Sequence, residues 1–288
     1  METLRDHRIV ARNTATTSAN KIHDDEVARR YGFAGGLVPG VDVYAYMAHV
    51  PAEAWGLDWL ERGTLRARFV APVYEGDEVR VVPGAVSSSP EERAVALELA
   101  TGRGVCATGE AALPAAPPDD PAPDAWAGVE PLPRDGEHPP GSLPDGRPGP
   151  SPDRPPASPE SLRAGTVLLL APHRFRADRA GEYLAEVGET SPLFVERGVA
   201  HPGWLLRDAN YVLSTNVALG PWIHVESATR HHGLVRDGDS VDARARVARE
   251  WEHRGHRFVE LDVGLFADRD RLVARVTHTA IYRPRPAG

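Results

Sequence analysis

Two stretches of the chain place apolar residues at helical spacing, and the stretches that follow them switch to a period of two. Val41, Tyr44, Ala45 and Ala48 recur every three or four residues, as do Leu205, Leu206, Ala209, Val212 and Leu213, so each set predicts one buried helix. Further on, Val79 and Val81 alternate with polar neighbours. More extensively, Val259, Leu261, Val263 and Leu265 alternate with Phe258, Glu260, Asp262 and Gly264. That alternation is the signature of antiparallel strands with one covered face. The pattern predicts an α+β protein in which a long helix lies against a curved antiparallel sheet, made twice.

The two parts match in order as well as in pattern. GGLVPG at 35–40 precedes the first helix and GVAHPG at 198–203 the second. A Gly-Asp pair, Gly76-Asp77 and Gly238-Asp239, then follows each at nearly the same distance. Matched punctuation of this kind marks an internal repeat. Between the parts, residues 114–160 hold more than half of the 27 prolines. Proline lacks the backbone donor and biases its predecessor toward extended backbone, so this stretch is expected to be a linker, with Trp126 and Leu132 pinning it to a surface. The expected organisation is an N-terminal domain over 1–113, the linker over 114–160, and a C-terminal domain over 161–288.

Composition narrows the function. A chain of 288 residues, 41% hydrophobic and 26% charged, is ordinary globular material, long enough for two such domains. A net charge of -8 offers no basic surface for a phosphate backbone, so nucleic acid is not an expected partner. Cys106 is the only cysteine, which removes an internal disulfide and any cysteine-cluster metal site and fits a reducing compartment. No segment reads as a signal peptide or a membrane span, so a cytoplasmic location with no membrane partner is expected. The histidines near the end, His231, His232, His253 and His256, raise the question of a metal, but their spacing gives no expectation of one.

The most informative stretch is Ser18-Ala-Asn-Lys-Ile-His23-Asp-Asp-Glu-Val-Ala-Arg-Arg-Tyr-Gly-Phe33, followed by Gly36-Leu-Val-Pro-Gly40. It resembles the hydratase signature of MaoC-like hot-dog proteins. In that family Asp, a spacer, Asn, Pro, an aliphatic residue and His precede a short helix, a Gly-Phe and a turn into the central helix. Asn20, Ile22, His23, Ala28, Gly32, Phe33 and Gly40 match; Lys21 replaces the proline and Ser18 the catalytic Asp. In the second part the comparable stretch is Glu189-Thr-Ser-Pro-Leu-Phe194, where a carboxylate returns but the histidine does not.

The resemblance implies a tandem hot-dog fold and an acyl-thioester substrate, carried by coenzyme A or by a carrier protein, with no cofactor. It implies hydration or dehydration of an enoyl or 3-hydroxyacyl thioester by a modified dyad. The lost Asp leaves open hydrolysis or cyclisation on the same scaffold, or a noncatalytic subunit that pairs with an active hot-dog partner. His23, Ser18 and Asn20 are the expected catalytic residues. Gly40, Val41 and Tyr44 are expected to bind substrate, the first two through backbone N–H groups at the helix start, which suit a developing oxyanion. Asp24, Glu189 and His201 are secondary candidates, and for Asp24 the role of helix cap is the favoured reading. Two fused units can supply within one chain the sheet pairing that hot-dog domains usually obtain by dimerising, so a pseudo-dimeric monomer or a homodimer is expected.

Overall fold

The computed structural model describes residues 3–117, 126, 128–133, 146–150 and 152–286. The rest of the proline-rich stretch over 114–160 lies outside the described residues. In chain order the elements are β1 (His7–Val10), a 3-10 turn (Lys21–His23), α1 (Asp25–Arg30), α2 (Gly40–Arg62), β2 (Thr64–Phe69), β3 (Glu78–Pro83), β4 (Ser87–Ser88), β5 (Glu92–Thr101) and β6 (Gly104–Pro114). There follow β7 (Val167–Arg174), α3 (Ala177–Glu186), α4 (Leu193–Arg197), α5 (Pro202–Asn216), β8 (Ile223–His231), β9 (Ser240–His253), β10 (His256–Ala267) and β11 (Arg271–Arg283).

All strands join one antiparallel sheet in the order β1-β3-β5-β6-β2-β8-β11-β10-β9-β7, with the short β4 beside β5. Read from either edge toward the middle, the two halves of that order follow the same sequence of connections. They meet where β2 pairs with β8, Leu65 opposite Thr229 and Ala67 opposite Ser227. The alternation seen in the sequence falls where it should: Val259, Leu261, Val263 and Leu265 of β10 are all 0% exposed, covering the helices from one face.

The repeat extends to individual hydrogen bonds. The Val38 N–H donates to the Val73 carbonyl and the Ala200 N–H to the Val235 carbonyl, both at 2.9 Å. Asp77 accepts the Tyr74 N–H at 2.7 Å, and Asp239 accepts the Arg236 N–H at 2.9 Å. Gly76 and Gly238, at φ 79 and 89, close these turns in the left-handed region where a side chain would be strained. Each residue of the second set follows its counterpart at one constant offset, so the matched Gly-Asp spacing reflects the same loop built twice.

Helices α2 and α5 are the two central helices, and they pack on each other. Helix α2 is apolar nearly all round because sheet and α5 enclose it; Tyr44, Met47, Ala48 and Trp59 are 0% exposed. Gly56, at φ 60 and ψ -143, kinks it near its end. An ion pair fastens the two helices: the Arg207 guanidinium bonds Asp42 at 3.0 Å, and the Asp42 side chain is fully buried. The aromatics of the first helix segment, Tyr44, Tyr46, Trp55 and Trp59, are core residues.

The described part of the proline-rich stretch is anchored, though not at both expected residues. Trp126 is buried edge-on against Phe266, ring centres 5.8 Å apart, whereas Leu132 stays 38% exposed. The second anchor is Arg147, fully buried, whose Nε donates to Asp208 at 2.7 Å and whose guanidinium lies 4.2 Å over the Trp204 ring. Its planar cation meets a carboxylate and an aromatic face on α5 together, which a leucine cannot do.

Candidate active site

His23 closes the short 3-10 turn, and Asn20 caps the start of that turn by accepting the Ile22 N–H. The His23 ring is oriented by Leu37, whose carbonyl lies 2.7 Å from Nδ1. A carbonyl can only accept, so Nδ1 carries the proton and Nε2 keeps its lone pair. Asn20 fixes the other side. Its Oδ1 accepts the Trp222 N–H at 3.1 Å, its Nδ2 donates to the Trp222 carbonyl at 3.0 Å, and the same Nδ2 reaches His23 Nε2 at 3.3 Å. Both orientations of the Asn20 amide are thus decided by backbone partners on the strand side of the other half. Burial lowers the pKa of His23 below its ordinary 6.5, outweighing the Leu37 carbonyl and Asp42, so the ring is a neutral base at physiological pH.

Asn20 and His23 face a cavity of about 260 Å³. Its walls are mostly apolar: Phe33, Leu37, Val38, Val43 and Phe69 to Val73 from the first half, and Trp222, Ile223, Val225 and Ile281 from the second. Gly40, the first residue of α2, forms part of the wall, so the free N–H groups of that helix end and its dipole border the same space. Asn210, His224 and His256 add polar groups, and among the described residues no carboxylate lines it.

The other expected residues lie nearby in different roles. Ser18 does not line the cavity; its hydroxyl accepts the Asn20 N–H at 3.1 Å and shapes the turn that presents Asn20. Tyr44 is fully buried and off the cavity wall, because position 44 lies one helical step, about 100°, round from the cavity-facing Val43. The Val41 side chain is buried in the core, leaving only its backbone as a binding group. Asp24 is exposed and caps α1 by accepting the Val27 N–H at 3.1 Å, while Asp25 accepts the Gly36 N–H at 2.8 Å.

Glu189 and His201 do meet, in the core and away from that cavity. Glu189 accepts from His201 Nε2 at 3.3 Å, from His49 Nδ1 at 2.6 Å and from the Ser191 N–H at 2.7 Å. Burial alone would raise its pKa, but the bonds to His201 and His49 hold it well below the usual carboxylate range. His201 Nδ1 accepts the Gly203 N–H at 3.0 Å and so caps α5. Both side chains are 1% exposed. The pair is committed to capping and packing. Among the described residues no group of His, Cys, Asp and Glu is arranged to hold a metal, and no helix is long and apolar enough to cross a membrane.

Sequence reasoning missed Trp222, His224 and Asn210, which reach the cavity from the second half. By sequence, no family model and no curated protein matches the chain. By structure, it is similar to a MaoC domain protein from Chloroflexus aurantiacus J-10-fl, at a TM-score of 0.62 and 13% identity over 99% of this chain and 96% of that one. A MaoC-like dehydratase matches at 0.61 and 14% identity over 97% of both chains. A conserved protein of Mycobacterium tuberculosis with a double hot-dog fold matches at 0.57 and 16% identity, over 98% of this chain and 96% of that one. The fold is a double hot-dog. In hot-dog terms, α2 and α5 are the two sausages, and the cavity lies at the start of the first one, walled on one side by the sheet of the second.

Proposed function

We propose that the protein acts on acyl thioesters, hydrating an enoyl thioester or dehydrating the 3-hydroxyacyl thioester, with His23 as the single acid-base group. The observation that carries this reading is the neutral His23 Nε2 facing an apolar cavity that also contains the start of α2. A water that takes the place of the Asn20 Nδ2–H on the Nε2 lone pair becomes nucleophilic as its proton passes to the ring, and its oxygen adds to the β-carbon of the enoyl group. Electron density moves to the thioester oxygen, where the N–H groups of Gly40 and Val41 and the helix dipole stabilise the enolate. The imidazolium then returns the proton to the α-carbon. The bond inventory closes as one water added across one double bond, with His23 neutral again.

Two further features support the reading. The walls are apolar enough for an acyl chain, and among the described residues no carboxylate lines the cavity. Ser18 contributes through the turn it stabilises. The test is incubation with crotonyl-coenzyme A and longer enoyl thioesters, following loss of the conjugated absorbance, a mass gain of one water, and free thiol. Hydration without thiol release is expected. Thiol release without hydration would overturn the hydratase reading in favour of hydrolysis, and neither change would overturn both.

A further inference from the structure

An apolar row begins in the cavity and runs across four strands of the second half. Ile223 of β8 lies opposite Ile281 of β11, Ile281 opposite Phe258 of β10, and Phe258 opposite Trp251 of β9. Their chain neighbours His224, Ala280, Tyr282 and Val259 are buried, so the row is on the sheet face turned away from the helices, where its four members are half-buried. Three strand spacings make it a track about 14 Å long. Ile223 and Ile281 line the cavity, and at the far end Phe258 stacks on Trp251, ring centres 5.1 Å apart. The next row on the same four strands is Glu226, Thr279, Glu260 and Arg249, as polar as an outer face is expected to be. The apolar row is therefore a local feature that starts where the cavity opens.

A hydrogen-bond donor and two cations stand beside it. His256, two residues before Phe258 and on the same face, also lines the cavity. Its Nδ1 accepts the Arg285 N–H at 3.0 Å, so in the neutral ring Nε2 carries the proton. Burial first, then the nearby Arg285 and His253, lowers its pKa below the ordinary 6.5 and keeps the ring neutral at physiological pH. Among the described residues nothing bonds Nε2, and it is not one of the sealed polar atoms of the core, so its N–H is accessible. The donor stands two strand spacings from β8, about 10 Å along the track. Arg285 is exposed, and its Cδ lies 3.1 Å from where a methyl on Gly255 would project. Arg254 and Gly255 form the hairpin turn before His256 at φ 51 and 79, a conformation in which Asn, Asp or Gly is usual at the first position. Neighbouring arginines are engaged, Arg257 by Glu250 and Glu252 and Arg283 by the Ala157 carbonyl. Among the described residues no carboxylate pairs with Arg254 or Arg285.

We infer that this track takes the carrier arm of a coenzyme A thioester: the arm lies along Ile223, Ile281 and Phe258, His256 Nε2–H donates to one of its amide carbonyls, and Arg254 and Arg285 face its phosphates. The inference rests on the thioester reading above and chooses between the two carriers that reading leaves open. A hydrocarbon chain on the track would leave the donor and both cations unused. Apolar row, neutral donor and cations instead match the methylene and dimethyl groups, the amides and the phosphates of the arm. A protein carrier needs a docking face of about 800 Å². Two cations at one hairpin, on a chain of net charge -8, match a small phosphorylated group.

The experiment titrates free coenzyme A, 4′-phosphopantetheine and pantetheine into the full chain by calorimetry, which requires no turnover. Wild-type protein should bind coenzyme A about tenfold more tightly than pantetheine at low salt, with the ratio shrinking at high salt as exposed charges are screened. Arg254→Gln combined with Arg285→Gln should reduce that ratio about fivefold, the scale of two exposed ion pairs. His256→Phe, which keeps an aromatic ring on the sheet face, should weaken all three ligands about fivefold, the scale of one neutral hydrogen bond. An unchanged ratio in the double arginine variant, or wild-type protein that binds no coenzyme A, would overturn the inference. So would 4′-phosphopantetheine bound as tightly as coenzyme A, since the phosphate recognised would then be one that a protein carrier also bears. Arginine-dependent binding of coenzyme A by protein that hydrates no enoyl thioester would overturn the proposed reaction and uphold the track. Hydration of crotonyl-coenzyme A with the wild-type KM by both variants would overturn the track and leave the reaction standing.

Discussion

Acid should unfold this protein at a pH where most globular proteins are near their most stable. His7, His231 and His278 are buried, 6%, 2% and 0% exposed, and burial is the first cause that lowers each pKa: His7 to about 4, with the neighbouring His49 adding to the effect, and His231 and His278 to about 3. In the unfolded chain each takes up a proton near pH 6.5; in the fold each stays neutral until pH 4 or below. Between those values the unfolded state binds more protons, so stability falls as pH falls, with full stability kept above about 6.5 and the loss levelling off below the folded values. One histidine contributes about 2 kcal/mol of loss by pH 5, and the three together about 6 kcal/mol, against a usual total of roughly 5–15 kcal/mol. Near pH 5.5 the slope should be about 4 kcal/mol per pH unit, or about three protons taken up on unfolding. His23 and His224, also lowered by burial, act in the same direction. Urea unfolding at half-unit steps from pH 7.5 to 5, with m held constant, measures that slope. A value at or below about 1.4 kcal/mol per unit, one proton, would refute the claim that these histidines are buried neutral.

Other changes have calculable outcomes. Asn20→Ala leaves both the Trp222 N–H and carbonyl unpaired and should cost about 1–3 kcal/mol in urea unfolding as well as loosening His23; unchanged stability would contradict the clamp. Gly40→Ala drives a methyl into His224 and should cost about 1–3 kcal/mol from overpacking, visible as a lower Tm. Arg147→Ala strips Asp208 of its 2.7 Å cationic partner in a fully buried position and should cost about 3–5 kcal/mol, whereas the same substitution at the exposed Arg66 should cost under about 1 kcal/mol. Equal effects at the two arginines would mean that the proline-rich stretch is not anchored through Arg147.

What was legible in the sequence followed from local periodicity. The helical spacing of Val41 to Ala48 and Leu205 to Leu213 located both central helices, because a helix enclosed by a sheet must present apolar residues at that period. The matched Gly-Asp turns located the repeat, since each glycine adopts a backbone conformation that other residues avoid. The turn around His23 was readable because its capping residues are neighbours in sequence. The opposite wall was not. Trp222 bonds Asn20 from 202 positions away, and His224 gains its place only once β8 lies beside β2. No local signal encodes such a pairing. Glu189 and His201 were read as secondary candidates, and they do bond each other; what the sequence hid was His49, whose addition closes the carboxylate off. Arg147 was hidden for a different reason: a proline-rich segment gives no period from which to infer which of its side chains turns inward.

The claim on which the account depends is that His23 alone supplies acid-base chemistry in the cavity. The most direct test compares wild-type protein and His23→Gln, both folded, for hydration of crotonyl-coenzyme A and longer enoyl thioesters at pH 7.5, with thiol release monitored in parallel. Glutamine keeps hydrogen bonding and volume but cannot take up the proton. The account expects wild-type hydration without thiol release and a loss of about 10²–10⁴-fold in His23→Gln, the range for removing a general acid-base group. Hydration by His23→Gln at the wild-type rate would contradict it.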